Sequence, residues 1–221
     1  MQTAFLRAYL LTVDTGSMAE AARRLHLTPA AVAQLRAAGL RVVQAPRIQS
    51  AAALLDAIRL VAEALGREAE GTRLAEAVEA DFAALAAALP AGRPRAIFVL
   101  APGQGAPMLA GTGTAAAAVL RLAGAENVLR HPGYTPIAAE AVLAARPDWI
   151  ATGHHAADAT DGFLAQPPFS LLPAARERRV VSMDSAFLLG WGPRAPHAVA
   201  ALAAALHQRP ALAALPARPW L

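Results

Sequence analysis

The stretch that decides the fold covers residues 106–153 and reads APMLAGTGTAAAAVLRLAGAENVLRHPGYTPIAAEAVLAARPDWIATG. Helical runs alternate in it with short apolar segments and with loops rich in glycine and proline. We predict helices over residues 114–123 and 138–145, and strands over 127–130 and 149–152. This order is typical of an α/β fold, a mostly parallel sheet with helices on both faces.

The alternation continues on both sides of this stretch. We predict strands at 96–101 and 180–183, a helical stretch at about 168–176 and a last helix at 198–207. Ligands of parallel sheets bind at the carboxyl ends of the strands. We therefore expect the loops 102–113, 131–136, 153–162 and 184–196 to meet at one edge.

Two helices are predicted before the first of these strands, and a further strand at 41–46 precedes them. The first helix ends near Gly66, and the second is long and runs to Pro90. Each has an apolar stripe. The stripes consist of Leu54, Ile58, Val61 and Leu65 in the first helix and of Leu74, Val78, Phe82, Leu85 and Leu89 in the second, with Glu76, Glu79 and Asp81 outside the stripe.

The composition is that of a folded protein. Hydrophobic residues make up 56% and charged residues 16%, so there is ample apolar material for a core, which argues against disorder. All 20 basic residues are arginine, but the net charge of +4 is a weak argument for nucleic acid. There is no cysteine, which excludes disulfides and thiolate metal sites. The first residues have neither an uninterrupted apolar run nor a cleavage site, so the sequence as given predicts a cytoplasmic protein without a membrane span.

The ordered motifs GAPM, GTxxAAxxxxRLAGAxN, GYxP, AEAVxAARPD and LLGxGPR resemble the substrate-binding protein of bacterial haem ABC importers over about residues 35–208. The resemblance implies the C-terminal lobe of a class III periplasmic-binding-like fold and a long inter-lobe helix. It also implies haem, or iron protoporphyrin, as the transported ligand, an ABC permease as partner and a periplasmic location. From this resemblance we expect the sequence as given to lack almost all of the usual N-terminal lobe, which in that family usually supplies an iron-ligating tyrosine.

Residues 1–36 contain LRAYLLTVDTGSMAEAARRLHLTPAAVAQLRA, which resembles the start of a LysR-type regulator. A helix, a short turn and a second helix capped by Thr28 fit a helix-turn-helix DNA reader. We expect Arg23 and Arg24 to meet DNA phosphates, and Thr28, Ala30 and Gln34 to lie in the major groove. The predicted domains are therefore a helix-turn-helix-like segment at 1–36, the last N-lobe strand and inter-lobe helices at 37–90, and a Rossmann-like ligand-binding lobe at 91–221.

Candidate iron ligands lie in two of the loops. Tyr134 can supply a phenolate to Fe(III), or can be an aromatic that packs on the domain edge. His154 and His155 follow a strand and suit iron or zinc, with Asp158 and Asp161 nearby, or belong to a solvated polar loop.

Other candidates suit the remainder of a haem group. Thr112 and Thr114 precede a helix, where free N–H groups favour a propionate, or serve only as helix caps. Arg194 can pair with a carboxylate of the ligand or of the lobe, and Trp191 can stack on a flat ring or close the core.

We expect no catalysis, because Ser182, Asp184 and Ser185 form the only serine–aspartate grouping and lack a positioned base. The leading hypothesis is haem or iron-chelate binding in an ABC-type uptake system, weakened by the missing lobe. One alternative is a LysR-like regulator fused to a ligand-sensing lobe. The other is a non-functional gene fusion, with the fusion junction near Arg36.

Overall fold

A computed structural model describes residues 48–100, 107–154 and 159–221 of the chain. The described residues form the strands β1 (Arg95–Leu100), β2 (Met108–Ala110), β3 (Glu126–Asn127), β4 (Tyr134–Thr135), β5 (Trp149–His154) and β6 (Val180–Asp184). They also form the helices α1 (Ala51–Leu65), α2 (Glu68–Ala88), α3 (Ala115–Leu122), α4 (Ala139–Ala145), α5 (Ala159–Leu164), α6 (Pro173–Arg176), α7 (Ser185–Leu189) and α8 (Ala195–Leu206), with 3-10 turns at Phe169–Leu171 and Pro210–Ala213.

The chain divides into two compact units. Of the described residues, the first unit holds 48–80 and Gly190–Pro193, and the second holds Asp81–Leu189 and Arg194–Leu221. The division falls inside α2, so α1 and the first part of α2 form one unit while the sheet and its helices form the other.

Helix α1 begins and ends at residues suited to those positions. The Ser50 hydroxyl accepts a hydrogen bond from the Ala53 N–H at 3.1 Å, which caps the first turn. Gly66 ends the helix in the left-handed conformation, with φ of 66°. Leu54 and Ile58 are buried as predicted, but Leu65 is 69% exposed. The prediction for Leu65 was wrong because the helix ends there and no further turn covers its side chain.

Helix α2 buries the apolar stripe that its sequence predicts, with Val78, Phe82 and Leu85 inside. Asp81 departs from the prediction. The sequence pattern puts Asp81 outside the apolar stripe, yet it is 1% exposed. The cause is a distant partner, since the Arg218 guanidinium binds its carboxylate.

The sheet has the strand order β4-β2-β1-β5-β6, and β3 pairs with the first part of β1. Strands β1, β3, β5 and β6 run parallel, as the predicted α/β fold requires. Strands β2 and β4 are antiparallel to their neighbours β1 and β2. These two short strands lie in segments predicted as loops, because they are too short to show an apolar period of their own.

Helices cover both faces of this sheet. On one face Ile97, Val99 and Ile150 pack in a cluster with buried residues of the α4–α6 region. Those residues are Val142, Phe163, Phe169, Leu172 and Ala174, with Leu109 of β2 and Leu129, which follows β3. Helices α3, α7 and α8 contact one another and the strands β1, β5 and β6.

Candidate functional site

Three parallel strands of the second unit end at the same edge of the sheet. Leu100 of β1 lies beside Gly153 of β5, which lies beside Met183 of β6, and His154 is opposite Asp184. We call this the carboxyl edge. His154 is the last residue of β5, so its backbone is fixed by the sheet at the position where ligands of such sheets bind.

The end of β5 is tightly packed against α7. A Cβ atom on Gly153 would lie 2.6 Å from the Ser185 Oγ, so a larger residue there would force the Ser185 hydroxyl to move. Ser185 and Thr152 are both buried, and their hydroxyl oxygens have no hydrogen-bond partner among the described residues. Sequence reasoning considered Ser185 only as a nucleophile and missed this packing role.

The structure brings Thr112, Thr114 and Tyr134 together at the start of α3. The Thr114 hydroxyl accepts a hydrogen bond from the Ala117 N–H at 3.1 Å and donates to the Gly111 carbonyl at 2.8 Å. The Tyr134 oxygen accepts from the Ala116 N–H at 3.4 Å. These N–H groups of the first turn are therefore satisfied by the chain itself, which is the capping alternative for Thr114.

The surroundings of Tyr134 oppose ionisation. Burial raises the pKa of the Tyr134 phenol, and the hydrogen bond that it accepts from the Ala116 N–H offsets part of that rise. Tyr134 therefore stays a neutral phenol at neutral pH. Its geometry favours a structural role over that of a preformed iron ligand.

Backbone hydrogen bonds hold the two loops around this point together. The Gly111 N–H donates to the Gly133 carbonyl at 2.8 Å, and the Thr112 N–H donates to the His131 carbonyl at 2.7 Å. A Cβ atom on Gly111 would lie 1.7 Å from the His131 carbonyl oxygen, so this approach requires glycine. Because β2 is antiparallel to β1, the chain after β2 leads away from the carboxyl edge. The expectation that all four loops meet at that edge was wrong in this respect.

Arg194 lies at the start of α8 in the second unit and is exposed. Its guanidinium carbon is 5.9 Å from the centre of the Phe187 ring. No carboxylate of the described residues forms an ion pair with it, so the guanidinium is open to an external anion. The alternative of a salt bridge within the lobe is not seen in the described part of the chain.

Trp191 belongs to the short segment assigned to the first unit. The residue is 3% exposed and has a φ of 41°. The indole N–H has no hydrogen-bond partner on the described residues. A ring this buried has little surface left for stacking on a ligand, which favours the alternative that it closes the core.

An apolar pocket of about 120 Å³ lies in the second unit, and sequence reasoning missed it. Leu109, Val142, Phe163 and Phe169 are its buried walls. Residues nearer the surface complete it: Pro107, Pro136, Ile137, Gln166, Pro167 and Pro168. The signal that could have found it is the placement of prolines in three loops that the sheet brings together.

Several predicted residues lie outside the described part of the chain. They are His155, Asp158 and the helix-turn-helix residues Arg23, Arg24, Thr28, Ala30 and Gln34, together with the strand at 41–46. In the part that is described, no group of three histidine, aspartate or glutamate residues is arranged to hold a metal ion. None of the helices seen there has both the length and the apolar character that a bilayer span requires.

Solved structures of known proteins are similar to this chain. The periplasmic haem-binding protein RhuT from Roseiflexus sp. RS-1 is 33% identical, with a TM-score of 0.75 over 82% of this chain and 72% of that protein. The periplasmic haem-binding protein BhuT, solved with two haems, is 37% identical, with a TM-score of 0.74 over 82% and 71%. A periplasmic haem-binding protein from Pseudomonas aeruginosa is 29% identical, with a TM-score of 0.68 over 81% and 68%.

Sequence comparison agrees with these structures. The profile of the periplasmic binding protein family matches residues 24–187. No curated protein sequence matches the chain significantly. The match begins inside the segment that resembles a LysR-type regulator, and neither the family nor the similar structures support that resemblance. On the profile match and the similarity to RhuT and BhuT, this chain belongs to the periplasmic binding protein family.

Proposed function

We propose that this chain binds haem as the substrate-binding component of an ABC-type uptake system and carries out no catalysis. One observation carries the proposal. Two proteins solved as periplasmic haem-binding proteins are 33% and 37% identical to it over 82% of its length. The family as a whole consists of binding proteins, so capture and release of a ligand is the activity that its fold supports.

The carboxyl edge is the part of the second unit that we assign to the ligand. His154 ends β5 at this edge, and a neutral imidazole is a good haem-iron ligand. We therefore propose His154 as the iron ligand from this lobe, with His155 as the alternative. Tyr134 is the weaker candidate, because its hydroxyl is bound at the start of α3 and its pKa is raised by burial.

Two further features suit the periphery of a porphyrin. The exposed Arg194 guanidinium offers a fork of N–H donors to a propionate carboxylate. The apolar pocket between Pro107, Pro136 and Phe163 suits the methyl- and vinyl-bearing rim, which gains free energy by leaving water. The proposal thus assigns a polar contact and an apolar contact to opposite ends of one amphipathic ligand.

The partners and the location follow from the same proposal. A substrate-binding component delivers its ligand to a membrane permease, so we propose an ABC permease as the partner. Since the similar proteins are named as periplasmic, we propose that this chain also works outside the cytoplasmic membrane.

A haemin titration followed by absorbance tests the proposal. Binding is expected to give a saturable Soret band that differs in position and width from the band of free haemin. A ferric hydroxamate chelate added in excess should leave that band in place, whereas displacement of haemin would assign the site to iron chelates instead. A spectrum equal to that of free haemin at every ratio would refute haem binding.

A further inference from the structure

Arginines are concentrated at the edge of the sheet opposite to the carboxyl edge. Arg93, Arg95, Arg146, Arg178 and Arg179 lie in the segments that lead into β1, β5 and β6. We call this set the arginine edge. Because the three strands are parallel neighbours, these segments lie side by side at the amino ends of the strands.

Three of these arginines brace the fold, and one of them is Arg93, whose Nη2 donates to the Ala125 carbonyl at 3.3 Å. The Arg95 Nη2 donates to the Ala145 carbonyl at 2.7 Å, and the Arg179 Nε donates to the Asp148 carbonyl at 2.7 Å. The Arg95 backbone N–H also donates to the Asp148 carboxylate at 3.2 Å. The side chains of Arg95 and Arg179 therefore hold the turn before β5 against its two neighbours.

Arg146 and Arg178 have no such role. Both are exposed, and neither guanidinium has a hydrogen bond or ion pair with another described residue. Both also have left-handed backbones, with φ of 44° and 55°, a conformation that favours glycine. The equivalent turn before β3 has glycine, since Gly124 has a φ of 75°. Their backbone N–H groups cap the preceding turns, since Arg146 donates to the Leu143 carbonyl and Arg178 to the Ala175 carbonyl, but their side chains add no contact to the described residues.

The carboxylates at this edge are already engaged. Glu126 pairs with Arg130 at 2.6 Å, and Glu177 pairs with Arg179. Asp148 accepts the Arg95 N–H. Arg146 and Arg178 thus form no ion pair with these carboxylates, and the five arginines of this edge outnumber its three carboxylates, Glu126, Asp148 and Glu177, so the edge presents positive charge to solvent.

We propose that the arginine edge binds the surface of an acidic phospholipid bilayer. Guanidinium forks match phosphate oxygens, and a row of them in adjacent turns can contact several headgroups at once. Trp149 begins β5 at the same edge and is half-buried, and its amphipathic ring suits the headgroup level of a membrane. The choice of a lipid over nucleic acid rests on the periplasmic location proposed above, because that compartment is bounded by membranes. Binding there leaves the carboxyl edge open, so this inference does not depend on the identity of the ligand.

Vesicle co-sedimentation tests the proposal with the full chain. Vesicles of phosphatidylcholine mixed with phosphatidylglycerol should bind the chain at low salt and release it at high salt, whereas pure phosphatidylcholine vesicles should not bind it. The variant R146G/R178G removes two charges at positions where glycine is unstrained, and its melting curve should match or exceed that of the wild type. We expect its partition constant on acidic vesicles to fall about tenfold or more, because each basic residue near such a surface strengthens binding.

The variant R59A/R73A is the matched control, because it removes two exposed helix arginines outside the arginine edge. It should retain nearly all the vesicle binding. Equal losses in the two variants would show that only net charge matters and would overturn the proposal. Absence of wild-type binding to acidic vesicles would overturn it too. Tighter binding to duplex DNA, with the same sensitivity to R146G/R178G, would reassign the edge to nucleic acid.

Discussion

The Arg218 guanidinium binds the Asp81 carboxylate through two hydrogen bonds across 137 residues of sequence. The Nε–Oδ2 distance is 3.0 Å and the Nη2–Oδ1 distance is 2.6 Å. Asp81 is 1% exposed, while Arg218 also lies over the Trp220 ring at 5.7 Å. This pair ties the last residues of the chain to the part of α2 that belongs to the second unit.

Removal of the arginine should destabilise the second unit. The variant R218M leaves the Asp81 carboxylate buried without its counter-ion, so we expect the melting temperature to fall by several degrees. The melting temperature of the double variant D81L/R218M should fall less than that of R218M, because no uncompensated buried charge remains. The exposed Arg209 supplies the control variant R209M, which should melt like the wild type. An R218M melting curve equal to that of the wild type would show that the pair has no structural role.

The contact between α1 and α2 in the first unit depends on Gly71. A Cβ atom there would lie 2.1 Å from the Ala62 Cβ. G71A should therefore lower the free energy of unfolding by about 1–3 kcal/mol through overpacking. Urea unfolding measures the loss, and G92A is the control because its Cβ would meet nothing within 4 Å. If overpacking is the cause, the double variant A62G/G71A should recover part of the loss; an unchanged loss would point to another cause.

The raised pKa of Tyr134 predicts a specific loss of stability in alkali. The phenol of the unfolded chain ionises near pH 10, about its ordinary pKa, whereas the buried phenol ionises only above that value. The stabilisation that the neutral Tyr134 phenol contributes is therefore fully present below about pH 10. It is lost as the pH rises towards the pKa of the folded state. The free energy of unfolding, measured in urea, should fall more steeply above about pH 10 for the wild type than for Y134F. Parallel pH profiles of the two proteins would contradict the assignment.

The apolar pocket provides a test of ligand contact that does not involve the iron. Ile137 is half-buried at its rim, so I137W should fill part of the 120 Å³ volume. If the porphyrin rim enters the pocket, haemin affinity should fall about tenfold, which corresponds to about 1.4 kcal/mol. L171W, at a residue that is 47% exposed and does not line the pocket, is the control. Equal haemin affinities for I137W and L171W would exclude the pocket from the binding site.

Local patterns in the sequence were enough to predict the main elements. Thr114 as a helix cap, Gly66 as a helix end and the strands β1, β5 and β6 follow from neighbouring residues, and the structure confirms them. Asp81 and the apolar pocket could not be predicted, because each depends on residues far away in sequence. The capping role of Tyr134 also depends on a contact with a different loop. For the candidate site, the sequence could supply residue types that suit haem, but the tertiary contacts decide which groups are already occupied.

Haemin titrations of the wild type, H154A, H155A and Y134F test the central claim, haem binding at the carboxyl edge, most directly. We predict a saturable Soret band for the wild type, a shifted or weakened band for H154A and a band of unchanged position for Y134F. H155A distinguishes the two adjacent histidines, because the Soret band should shift only when the histidine that ligates the iron is removed. A wild-type spectrum that stays identical to free haemin, or a band that Y134F abolishes while H154A and H155A leave it unchanged, would contradict the account.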